Sequence, residues 1–206
     1  MTKPEFEPLL RTFYQPSARE VAAKLLGHWL IRNSSEGLSG GPIVETEAYL
    51  RDDAACHGAP GLTARNRVMF GDPGHAYVYL IYGLHHCVNA VCSPARIAEA
   101  VLIRAIEPVL GEALMRRRRS AKSARDLTSG PAKLCEALRI DRSLDGVDLC
   151  DQKSGLFIAK NSNRAADFRR LGPLTITPRI GITRAALLPL RFYWAKSEFL
   201  SRRHEI

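Results

Sequence analysis

The sequence predicts an α+β fold: a single domain over residues 1–206, built on a mostly antiparallel, curved sheet flanked by helices, with a protruding β-hairpin. Three observations carry this expectation. The runs AYVYLIY and HHCVNAVC flank Gly83-Leu84, a Gly-X pair suited to a type II′ turn, and together form the strongest hairpin pattern in the chain. Further β-branched and aromatic runs recur along the sequence. The helical patterns between them are short, with no internal repeat, low-complexity tract or long linker.

Taken in order, Ser17 and Glu20 form a capping box that opens a helix through AREVAAKLL, which Gly27 ends. His28–Asn33 reads as a strand, SSEGLSGG as a turn and Pro42–Leu50 (PIVETEAYL) as a second strand. Residues 51–74 are loop-like, with GAPG and GDPG. After the hairpin comes the strand AVLIRAI, and GEALMRRRRSAK reads as a helix with a highly basic face. SGPAKLCEAL reads as another helix, with Ser129 as cap and Pro131 in its first turn. The last fifty residues read as strands: GLFIAK, LTITPRIGI and LRFYWAK.

Composition excludes several classes. With 206 residues, 46% of them hydrophobic, the chain can bury a real core and is not disordered. No apolar run approaches the ~20 residues that span a bilayer, so no membrane association is expected. The five cysteines include no CxxC pair, and the N-terminus has no apolar signal region; free, mostly buried thiols and a cytoplasmic location are expected. Cys87 and Cys92 lie near His85 and His86, but the spacing is not that of a four-ligand site, and the two histidines would point to opposite faces of a strand. No metal and no cofactor are expected. The net charge of +9 is asymmetric: residues 1–103 carry nine basic and ten acidic residues, and the second half carries the excess. That points to a polyanionic partner.

Walker A, GxGxxG, GxSxG and zinc-deaminase patterns are all missing. What stands out is PIVETEAYL, where strict alternation puts Ile43, Glu45, Glu47 and Tyr49 on one face. Two acids beside a tyrosine make either a general base or a solvated strand face, and the residues alone favour the second. Tyr77 and Tyr79 share a face of the hairpin, Tyr77 reading as core. Tyr82 lies at the turn, where there is little core to join. An exposed aromatic there suits a partner contact or a wedge of the kind that pries stacked bases apart.

VETEAY, TARNRVMF, YVYLIYG followed by CVN, LIRAIEP, SGPAKLCEAL, RIGI and LRFY occur in this order from about residue 10 to 200. In these motifs the sequence closely resembles the alkyladenine (3-methyladenine) DNA glycosylase family, in a compact, bacterial type without the long N-terminal extension of mammalian members. The resemblance implies a monomeric enzyme that binds double-stranded DNA through its minor groove and backbone phosphates, flips an alkylated or deaminated purine (3-methyladenine and related bases) and hydrolyses its N-glycosidic bond. It assigns the catalytic carboxylate to Glu47, a water-holding arginine to Arg104, and a water-holding backbone carbonyl to Ile180. It places the base pocket on Tyr49, His57, Tyr79 and Asn89, the last crowding the edge where guanine carries its 2-amino group. It gives Tyr82 the gap left by the flipped base, and puts DNA contacts at Thr63, Leu84, His85, Arg119, Ser120 and Lys133. His85 and His86 stand where family members carry aromatics. Glu45 is left as a salt-bridge or solvated residue, and Arg202 and Arg203 receive no role. No lysine occurs between Lys24 and Lys122, so a Schiff-base nucleophile is disfavoured and water is the expected attacker. The rival readings are a non-catalytic binder of damaged DNA or RNA and a small-molecule hydrolase using the two carboxylates.

Overall fold

The structure, a computed structural model, describes residues 6–202. It has the α+β architecture that the sequence predicts. Eight strands form one antiparallel sheet: β1 (Trp29–Ser34), β2 (Gly37–Tyr49), β3 (Ala76–Ile81), β4 (His85–Cys92), β5 (Glu99–Ile106), β6 (Leu156–Ala159), β7 (Leu174–Thr177) and β8 (Arg191–Trp194). The main order is β3-β4-β5-β2-β1-β6, and β8 joins β2 to β7. β2 is the spine. Its first half pairs with β1, and its second half lies between β5 and β8.

Alternation divides the sheet into two faces. Val44, Ala48, Val78, Val88, Ala90, Val101 and Ile103 belong to the main core. The helices α1 (Ala18–Leu25) and α4 (Pro131–Leu138) bring Val21, Leu25, Leu134 and Leu138 into that same core. On the other face Tyr77 and Ala100 join Cys56 and Met69 of the 51–74 loop in a smaller core, with Tyr49 and Tyr79 packed against it. The candidate pocket tyrosines Tyr49 and Tyr79 thus lie on this second face, under the loop.

Ser17 Oγ accepts from the Glu20 amide, and Gly27 follows the helix at φ +86°, as the capping pattern predicts. Other expectations are corrected. LSGG is not turn but strand, because a side chain at Gly41 would collide with the Glu107 carbonyl: the glycines admit a close neighbour instead of reversing the chain. The hairpin turn centres on Tyr82 and Gly83, both at positive φ (53° and 70°), which is the type I′ pattern rather than type II′ at Gly83-Leu84. The N-cap of α4 is Gly130, not Ser129, which instead closes a short helix α3 (Ala124–Thr128) that the sequence does not announce. β7 stops at Thr177, before Pro178. The polar helix α5 (Arg164–Leu171), whose one buried residue is Leu171, interrupts the expected run of strands.

The basic face expected on α2 (Glu112–Arg118) is not a free cationic stripe. Arg116 pairs with Glu112, Arg119 with Glu136, and Arg118 turns inward to Glu36, Ser34, Ser39 and the Ala137 carbonyl. Of the four consecutive arginines only Arg117 has no ion pair among the described residues. All five cysteines are free, four of them buried. No helix among the described residues is long and apolar enough to cross a membrane.

Candidate active site

Arg191, Glu47, Leu102, Asn89 and Tyr77 form one continuous row across β8, β2, β5, β4 and β3. Beside it the ladder between β2 and β5 slips. Glu45 pairs with Ala105 and Thr46 with Ile103, leaving Arg104 as an extra residue on β5. Such an irregularity re-aims a side chain, and here Arg104 comes to lie between the two acids of β2. Its Nη1 is 3.1 Å from Glu47 Oε2, and its Nε is 3.0 Å from Glu45 Oε1.

Glu45 and Glu47 are fully buried, which overturns the solvated-face reading of PIVETEAYL. A buried carboxylate must be paired and hydrogen-bonded, and both are. Glu47 Oε2 accepts from the Tyr49 hydroxyl at 3.0 Å, and its Oε1 accepts from the Ile180 amide at 2.8 Å. The resemblance points to the Ile180 carbonyl; the contact made with Glu47 is through its N–H. Burial opposes the charge on Arg104, but Glu47 and Glu45 outweigh it and hold the guanidinium above its ordinary pKa. Burial, reinforced by Glu47, pushes the Tyr49 phenol far up, so it serves Glu47 as a neutral donor.

Over this floor Tyr49, His57, Tyr77, Tyr79, Asn89, Met69, Ala55 and Ala100 enclose a slot of about 20 Å³, room for a single water. The His57 and Tyr79 rings meet edge-on at 4.5 Å, and His57 Nδ1 is 3.0 Å from the Tyr77 hydroxyl. Burial and then Arg65 lower the His57 pKa, so the imidazole is neutral near pH 7. Burial pushes the Tyr77 phenol up to about 12. Asn89 is held by a 3.0 Å bond from its Nδ2 to the Tyr77 carbonyl. All four pocket residues named from the sequence therefore line one slot; Glu47, Arg104 and Ile180 are not among its lining residues and join it through Tyr49, whose hydroxyl donates to Glu47.

The slot opens toward a cleft of about 840 Å³ lined by His57, Tyr77, Thr63, Arg65, Arg184 and, at its rim, Tyr82. Tyr82 is 82% exposed, so the hairpin tip projects as the sequence predicts. Asn66 shapes the cleft wall, with Nδ2 donating to the His57 and Gly61 carbonyls and Oδ1 accepting from the Thr63 amide. Leu84 and His85 face a separate groove against Ala132 and Glu136 of α4. Ser120 is exposed. Arg119 and Lys133 are not free: Arg119 pairs with Glu136, and Lys133 Nζ lies 3.3 Å from Asp126 Oδ1.

Several residues of the site have no individual signal in the sequence. Arg179 is buried, makes a two-pronged pair with Asp53, donates to the Ala48 carbonyl at 3.0 Å, and stacks 4.6 Å from the Tyr49 ring centroid. It thereby supports the Tyr49 wall and the backbone that delivers the Ile180 amide. Arg191 and Ser201 both bind Glu45. Arg179 and Arg191 stand inside RIGI and LRFY, motifs that are visible although the partners are not. Among the described residues no group of three or more His, Cys, Asp or Glu side chains is arranged to hold a metal.

Comparison with known proteins supplies the class. The family model for methylpurine-DNA glycosylase (MPG) matches residues 12–198, and the chain belongs to that family, whose members are hydrolases of N-glycosyl bonds. Among individual proteins it is similar to one from Carboxydothermus hydrogenoformans named "Putative 3-methyladenine DNA glycosylase", with 46% identity over 95% of this chain and 99% of that one. Relatives of the same name from Methanoculleus marisnigri and Mesorhizobium japonicum are 49% and 45% identical, covering 93% and 94% of this chain and 97% and 90% of theirs.

Proposed function

We propose that this chain is a monofunctional DNA glycosylase, acting as a monomer, that removes alkylated purines, 3-methyladenine among them, from duplex DNA in base excision repair. The observation that carries the reading is Glu47, a fully buried carboxylate joined to an aromatic slot through Tyr49 and held by Arg104, Tyr49 and the Ile180 amide. Tyr82 fills the gap in the duplex as the damaged nucleotide turns out into the cleft. A purine needs more room than the slot offers, so base entry and parting of its walls are one event. Tyr49 and Tyr79 then stack on the base, their negative π faces favouring a cationic alkylated ring, while the neutral His57 adds no repelling charge. Asn89 crowds the purine edge and disfavours guanine.

Glu47 takes the proton of the attacking water and stabilises positive charge growing on the sugar, while Arg104 orients that water. Thr63, Leu84 and His85 flank the wedge against the minor groove. Arg119, Ser120 and Lys133 contact backbone phosphates, with Glu136 and Asp126 exchanged for phosphate oxygens on binding. Incubation with duplex DNA carrying 3-methyladenine, scored for free base and abasic sites, tests the reading. Base release without strand cleavage is expected; binding without release on any alkylated purine would leave a non-catalytic damage binder in its place.

A further inference from the structure

We propose that Glu45 is a positioning residue for this reaction: it aims Arg104 at Glu47, with Ser201 of the C-terminal segment completing the cradle. The proposal rests on Glu47 being the base, and it gives a task to the carboxylate bound to Arg104 that the mechanism leaves unused. Arg104 is gripped at one end and presented at the other. Its Nε is 3.0 Å from Glu45 Oε1 and 3.3 Å from Ser201 Oγ, and its Nη2 is 3.1 Å from the same hydroxyl. Only Nη1 is directed to Glu47. Glu45 is itself fixed by Arg191 Nε at 2.7 Å, the Ser201 amide at 2.6 Å and the Ser201 hydroxyl at 2.7 Å.

Packing alone does not call for this arrangement, since an apolar pair of similar volume would fill the space at no lower stability. The register slip that makes Arg104 the extra residue on β5 sets the same three side chains in line. Charge adds a second effect. The cations near Glu47 are Arg104 and its strand partner Arg191, with Arg179 beyond the Tyr49 ring; the other groups are Glu45, Tyr49 and Cys87. Glu45 is the negative charge that keeps the two strand arginines from falling wholly on Glu47.

The test compares Glu45→Gln, Ser201→Ala and Glu47→Gln in the whole chain, measuring lesion-duplex affinity and single-turnover base release separately. A misplaced reacting group costs about 100-fold in rate. Glu45→Gln is expected to slow release by that order at unchanged affinity. Ser201→Ala is expected to slow release less, also at unchanged affinity. A folded Glu45→Gln with wild-type rate overturns the proposal. Should Glu45→Gln fail to fold, Ser201→Ala decides: slower release at unchanged affinity supports it, and an unchanged rate overturns it. Undiminished release by Glu47→Gln would instead bring down the base assignment itself, which separates the two failures.

Discussion

Glu47 and Tyr82 stand on the same antiparallel sheet, one with no solvent exposure and the other 82% exposed. Around Glu47 every polar contact is specified: two carboxylates and two arginines on neighbouring strands, a tyrosine hydroxyl, a serine and a backbone amide converge in a low-dielectric space. Around Tyr82 there is almost nothing beyond a tight turn whose positive φ angles turn the ring outward. The contrast fits the roles proposed for the two residues, Glu47 as base and Tyr82 as wedge. A buried base works only if preorganised partners stabilise its charge before substrate arrives. A wedge must be free to enter another molecule, and needs only a rigid hairpin behind it.

Four substitutions break or sharpen that contrast. The largest effect is expected at the floor, where Glu47→Gln removes the base: single-turnover release should fall by about 10²–10⁴-fold, the usual contribution of general base catalysis. Next is Asp53→Ala, which strands the Arg179 guanidinium in a buried site. Loss of one partner of a buried pair costs about 3–5 kcal/mol, read as a lower urea midpoint. At the tip, Tyr82→Ala should leave stability within about 0.5 kcal/mol, as for an exposed position, while weakening binding to lesion duplex by about 1–3 kcal/mol, the value of one aromatic–base stack. Smallest is Lys133→Ala, expected to lower the slope of log affinity against log salt by about 1 without changing lesion preference.

The same contrast explains what the sequence reveals. Tip and pocket walls are local: AYVYLIYGL carries the hairpin and Tyr82 on its face, and alternation in PIVETEAYL puts Glu45, Glu47 and Tyr49 on one side, although Ile43, expected with them, joins Val44 in the main core where the register shifts. Alternation cannot say whether that side meets water, and here Tyr49 packs under residues 51–74 while Ile180 and Ser201 close over Glu47 and Glu45. The supports of the floor are non-local. Arg179 reaches Asp53 across 126 residues, and Ser201 reaches Glu45 across 156, separations at which no spacing rule operates. The basic run at Arg116–Arg119 misleads for the same reason, since its acidic partners Glu36 and Glu136 come from other elements. The excess charge of the second half is thus partly structural, and Arg203 lies outside the described residues. Helix α5 escapes detection because a polar surface helix with one buried residue has almost no apolar period.

The central claim is a division of labour, with chemistry at the floor and extrusion at the tip. It is tested most directly by single-turnover release of 3-methyladenine from duplex and from single-stranded DNA, comparing Glu47→Gln and Tyr82→Ala with the wild-type chain. The account predicts that Glu47→Gln loses release on both substrates, whereas Tyr82→Ala loses it on the duplex alone, since a single strand leaves no base stack to open. Equal losses for Tyr82→Ala on both substrates, or full release by Glu47→Gln on either, would contradict it.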